Sequence, residues 1–148
     1  MSKTETAKPS PVKMPQGREA QRLAKRETIL NAAIELFAAR GFDGTSLPAI
    51  TAACGVPVPL IVYHFGSKDQ LWRDAVDEIY RRLALHIAQF DETIAAATGA
   101  DFYRANIKAH VTAVAAHPEY MRILFQEGTQ QTERLTWLVE RHQSRMTS

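Results

Sequence analysis

The sequence predicts an all-α chain. Apolar residues recur at spacings of three and four through nearly every stretch after residue 18, and no stretch alternates apolar and polar residues with period two. Gly, Pro, Ser and Thr fall where that pattern starts and stops, which is where helix ends need them. The predicted organisation is a flexible arm over residues 1–17, a three-helix unit over 18–66 containing a helix-turn-helix, and a longer helical unit over 67–148.

Each element has its reason. Pro9, Pro11, Pro15 and Gly17, without apolar periodicity, make residues 1–17 an arm. From Arg18 a helix follows: Ile29, Ala33 and Phe37 lie four apart, Leu30 and Ile34 fill the adjacent row, and Gly41 supplies the left-handed residue that stops it after Arg40. Phe42-Asp43-Gly44 is a turn. Thr45 or Ser46 then caps a two-turn helix through Leu47, Ile50, Ala53 and Cys54, with Pro48 in its first turn and Gly55 ending it. Pro57 and Pro59 begin a third short helix rather than break one, because a first-turn proline needs no amide hydrogen bond. That helix ends at Phe65-Gly66.

Ser67 with Gln70 reads as a capping box for a long helix whose Leu71, Ala75, Val76, Ile79, Leu83, Ile87, Phe90 and Ile94 keep the helical period to about Ala97. Asp101 is expected to cap the next, along which Phe102, Ala105, Ala109, Thr112 and Ala116 share a row. Pro118 begins a shorter helix with Ile123, Leu124 and Phe125, ended by Gly128. The last pattern runs from Thr132 to about Arg145, with Leu135, Leu138 and Val139.

Composition narrows the function classes. With 148 residues, 45% hydrophobic and 23% charged, the chain can bury a real core. No apolar run reaches 18 residues and no apolar segment follows the N-terminal lysines, so neither a membrane span nor a secretory signal is expected, and the expected location is cytoplasmic. Cys54 is the single cysteine, which excludes an internal disulfide and a cysteine-cluster zinc site. His110 and His117 are seven apart, roughly 10 Å along a helix, too far to share one ion, so no metal is expected. No nucleophile with a base, paired carboxylates or metal cluster has catalytic spacing, so the chain is read as a non-enzyme without a cofactor. The net charge of +2 hides an asymmetry: residues 1–68 hold nine Lys/Arg against five acids, residues 69–148 nine against eleven. A polyanion would meet the first half.

Two short helices joined by Cys54-Gly55-Val56-Pro57, with a preceding helix to complete their core, form a helix-turn-helix candidate. The run Arg26 to Ser46 (RETILNAAIELFAARGFDGTS), then Ile50, Gly55-Val56, Tyr63-His64-Phe65 and Ser67-Lys68-Asp69-Gln70-Leu71, resembles the tetracycline-repressor-like (TetR) family of bacterial transcriptional regulators over about residues 22–72. The resemblance implies a DNA-binding regulator, usually a repressor released by a small-molecule effector, with residues 18–66 as DNA-binding domain and residues 67–148 as part of an effector-binding domain. It also implies a homodimer for the complete protein. Because family members continue with two further long helices, the 148-residue chain looks C-terminally incomplete, and weak, poorly selective binding by a single head is expected.

Carried over by position, the resemblance puts Thr45 and Ser46 at a phosphate and Pro57, Val58, Pro59 and Leu60 at the leading end of the recognition helix in the major groove of double-stranded DNA. Tyr63, His64 and Lys68 would face the backbone. Apart from the resemblance, the basic run Arg22, Lys25 and Arg26 of the first helix is itself read as lying near phosphate. The chain departs from the family at Pro57 and Val58, often Ser and Lys, and at Val62, often Tyr. Proline and valine make no bidentate base contacts, leaving apolar contacts to thymine methyls, Tyr63, or DNA shape. The same substitutions favour the alternative of a helical protein-interaction module with weakened or lost DNA binding. His86, Phe90, Phe102 and Tyr120 are the candidates to line an effector pocket.

Overall fold

A computed structural model describes the chain from Gly17 to Met146, with side chains described through Arg141; residues 1–16 of the expected arm lie outside the described residues. Eight helices and no strand occur among those residues: α1 (Arg18–Arg40), α2 (Leu47–Cys54), α3 (Val58–Phe65), α4 (Lys68–Ala88), α5 (Asp91–Ala96), α6 (Gly99–Ala116), α7 (Pro118–Gly128) and α8 (Glu133–Met146). The chain folds as all-α, with the N-terminal three-helix unit as expected.

α1 divides into two parts. Nothing before Ile29 is buried, whereas Ile29, Leu30, Ala33, Ile34, Phe37 and Ala38 form one buried stripe. At eight residues each, α2 and α3 are too short to hold alone. They persist because Ile50, Val56, Ile61 and Phe65 close over the α1 stripe, each fully buried side chain of this size contributing about 1.5–3 kcal/mol. The same core continues without a break through Leu71, Trp72, Ala75, Val76 and Ile79 of α4 to Ile123 of α7 and Leu138 of α8. Head and rear therefore share one apolar cluster. α7 is also pinned to the end of α1, where Gln126 Nε2 donates to Ala38 O at 2.9 Å.

Two expected boundaries are corrected. The long helix stops at Ala88 instead of Ala97, because Gln89 N–H turns to His86 O (3.3 Å) and Phe90 N–H to Ile87 O (2.9 Å), tightening the last turn. A new short helix, α5, starts at Asp91, and its Asp91 and Glu92 suit a helix N-terminus. The next helix begins at Gly99 after Thr98, so Asp101 lies inside the first turn of α6 and pairs with Arg104 at 3.1 Å rather than capping.

Candidate nucleic-acid interface

Local chemistry sets the geometry of α2, its turn and α3. Ser46 is the N-cap of α2, its Oγ accepting from Ala49 N at 3.2 Å. Gly55 closes α2 in the left-handed region (φ 73°, ψ 6°) and gives its N–H to Thr51 O at 2.8 Å. Val56 is buried in the turn, and Pro57 is the extended N-cap of α3, with Pro59 inside the first turn. The helices bend by 105° across this break, within the range of helix-turn-helix pairs.

Burial of Ile61 and Phe65 fixes which face of α3 looks outward. Pro57, Pro59, Leu60 (38% exposed), Val62 (41%) and Tyr63 (74%) lie on the open side, and Val58 is half-buried. His64 is half-buried beside them, with Nδ1 enclosed and lacking a partner among the described residues. Burial, then the charges of Arg22, Arg26 and Lys25, push its pKa down, so the imidazole is neutral near pH 7. The Arg26 guanidinium over the Phe65 ring places this part of α1 alongside the end of α3. Arg22 is exposed and held by Glu19 through hydrogen bonds of 2.6 and 3.0 Å, a surface pair that a phosphate can displace at small cost. Lys25 is exposed on the same side.

The expected contacts divide on these facts. Thr45 is corrected: its side chain is 1% exposed, with its hydroxyl against Gly41 O (2.8 Å) and Leu36 O (3.2 Å), so it fastens the α1–α2 turn and cannot meet a phosphate. Arg26 is likewise engaged elsewhere, donating to Asp74 at 3.0 Å and lying over the Phe65 ring at 4.7 Å. Ser46 is exposed, but the α2 terminus offers an anion few donors, since Ala49 N–H is taken by Ser46 Oγ and Pro48 has none. Lys68 opens α4 directly after α3 and is half-buried, with Nζ 4.1 Å from the centroid of the Phe42 ring. Lys25, by contrast, stays exposed and joins Arg22 beside α3.

The effector candidates do not converge on one pocket. Tyr120 lies edge-on to Tyr80 (5.4 Å) and borders a cavity of ≈ 10 Å³ with Val76, Ile79, Ile123, Leu124 and Leu138, room for about one water. His86 stacks near Phe90 (6.4 Å) and edge-on to His117 (5.7 Å), which meets Glu119 at 3.2 Å. Phe102 is exposed, paired with Tyr103. A separate open cleft of ≈ 530 Å³ lies among α1, α4 and α7, bordered by Asn31, Glu35, Arg82, Glu119 and Arg122. No single helix among the described residues is long and apolar enough to cross a membrane.

Comparison with known proteins agrees with this geometry. The family described as "Bacterial regulatory proteins, tetR family" matches residues 29–75, which span the α1 core stripe, α2, α3 and the start of α4. The HTH-type transcriptional regulator LmrA of Bacillus subtilis is 42% identical over 64 residues, 43% of this chain and 34% of that protein. The HTH-type transcriptional repressor Rv3405c of Mycobacterium tuberculosis is 44% identical over 71 residues, 48% of this chain and 36% of that one. The chain thus spans about a third of the length of these curated relatives. A solved TetR-like transcriptional regulator from Rhodococcus sp. RHA1 superimposes with TM-score 0.68 at 20% identity, over 90% of this chain and 67% of its own, a likeness of fold.

Proposed function

Through residues 29–75 the chain belongs to the TetR family of bacterial regulatory proteins, and from that premise we propose that it is a DNA-binding transcriptional regulator, acting as a repressor that a small molecule releases. One observation carries the reading. The outward face of α3 lies beside the exposed cations Arg22 and Lys25 of α1, while its inner face is locked into the core, and Lys68 follows α3 directly at the start of α4. Phosphates of a duplex meet the flanking cations and Tyr63, which fixes docking, and α3 enters the major groove between them.

The rear helices supply the route for release. The apolar cluster runs unbroken from α3 through α1 and α4 to α7 and α8, so a ligand that wedges α4 from α7 moves the head as well. Tyr120 at the small cavity is the effector candidate best placed for this, and a ligand of ordinary size must enlarge that space. Two heads, joined as a homodimer in the complete protein, would read two half-sites.

The apolar outer face of α3 favours a second reading, a protein-interaction module without DNA binding. Selection of bound duplexes from random DNA separates the two. A retained duplex whose affinity falls steeply with salt, and falls further in Tyr63→Ala and Lys68→Ala, supports the regulator; no retained duplex at 50 mM salt supports the module.

A further inference from the structure

We infer that α3 reads the C5-methyl groups of thymine over two or three adjacent base pairs, an inference that rests on the DNA-binding reading above. Ile61 and Phe65 point into the core, so helical geometry puts Pro59 and Tyr63 at the centre of the opposite face, with Leu60 and Val62 beside them. Among these four only Tyr63 has a hydrogen-bonding group. The leading end offers almost no backbone donor either. Pro57 and Pro59 have no N–H, and Leu60 and Ile61 give theirs to Pro57 O at 3.0 and 3.1 Å. On the C-terminal half of α2 the exposed residues are Ala52 and Ala53, again without a polar group.

The major-groove edges of guanine, adenine and cytosine ask for donors or acceptors, and the one side chain of this face that carries any is Tyr63, given above to a phosphate. Thymine alone presents a methyl group there. The exposed apolar side chains of α3 favour an apolar cover, and Arg22 and Lys25 beside them suit the phosphates that border base edges in a major groove. From Pro59 to Val62 the helix rises about 4.5 Å. At about 3.4 Å per base step, that reaches two or three base pairs.

The test replaces each thymine of a duplex selected by the 148-residue chain, singly, with deoxyuridine, which removes the methyl and leaves every hydrogen-bonding group. Fluorescence anisotropy at fixed salt should show two or three neighbouring positions where affinity falls about fourfold each, the value of one buried methyl, with no change in salt dependence. Val62→Ser and Leu60→Ser, both at exposed positions, should abolish the deoxyuridine effect at one position each while circular dichroism stays unchanged. Cytosine at a sensitive position should bind poorly and 5-methylcytosine should recover part of the loss. A duplex bound tightly and salt-dependently, yet insensitive to deoxyuridine everywhere, overturns methyl readout and leaves DNA binding standing. Failure to retain any duplex overturns both.

Discussion

Replacing Phe42 with leucine tests how the head is fastened to the rear helices. The Phe42 ring lies between two cations, Lys68 Nζ at 4.1 Å and the Arg134 guanidinium carbon at 3.9 Å from its centroid, and stacks on Phe37 at 6.1 Å with an interplanar angle of 11°. A cation over a ring contributes about 0.5–1 kcal/mol when exposed and about 2 when desolvated; Lys68 is half-buried, and the Arg134 side chain is 13% exposed. The ring pair adds about 0.5–1 kcal/mol. Leucine keeps much of the apolar area, so the expected loss is about 2–3 kcal/mol. Urea unfolding should show it as a lower midpoint at constant slope. A double-mutant cycle with Arg134→Met isolates the guanidinium contact, because the effect of that substitution on Glu127 occurs in both the single and the double variant and cancels. The expected coupling is about 1–2 kcal/mol. A loss under about 0.5 kcal/mol, or no coupling, would reduce Phe42 to space filling and refute this account of the junction.

Other outcomes follow from single contacts. Glu127 is 4% exposed and accepts from Arg134 at 3.3 Å and Thr132 at 3.0 Å, so Arg134→Ala strands a buried carboxylate and should cost about 3–5 kcal/mol in urea unfolding, part of it recovered by adding Glu127→Leu. The hydrogen bond from Arg81, opposed by burial and aided by Arg82, holds the Glu78 carboxyl down at about 2 from its ordinary 4.5. A carboxyl whose folded pKa lies below its unfolded value stabilises above that unfolded value, so this contribution should vanish as pH falls from about 5 to about 2, and Glu78→Gln should flatten that part of the stability profile; parallel profiles would contradict it. Gly44→Ala places its Cβ 2.2 Å from Arg40 O and should unfold or severely destabilise the head, whereas Gly55→Ala meets open space and carries only the cost of a positive φ, about 1 kcal/mol in thermal or urea melts.

Elements whose determinants are local were legible in the sequence. Ser46, Gly55, Ser67 and Pro118 mark helix ends by backbone chemistry alone, and the two prolines of α3 fall where only a helix start tolerates them. The break after Ala88 was hidden because Leu83, Ile87, Phe90 and Ile94 keep a helical period straight across it; the adjacent acids Asp91 and Glu92 were the available signal. At the interface, identity by position was readable but engagement was not. Arg26 and Lys25 are neighbours of like charge, and only the packing of α4 and α3 shows that Arg26 meets Asp74 and Phe65 while Lys25 stands exposed. Thr45 and Ser46 look interchangeable as caps until the fold turns one hydroxyl inward. The effector candidates were named by residue type alone, and which rings meet was set by packing: Tyr120 lies against Tyr80 of α4, while His86, six residues further along α4, meets Phe90 and His117.

The most direct measurement is the salt dependence of affinity for a selected duplex, followed by anisotropy from 50 to 200 mM salt for the native chain and for Lys25→Ala and Lys68→Ala. With Arg22, Lys25 and Lys68 each neutralising a phosphate, log K should fall against log salt with a slope of about −3 per head, and each substitution should make it shallower by about 0.9. A slope near zero, or one that neither substitution changes, would mean that α3 and its flanking cations do not meet DNA.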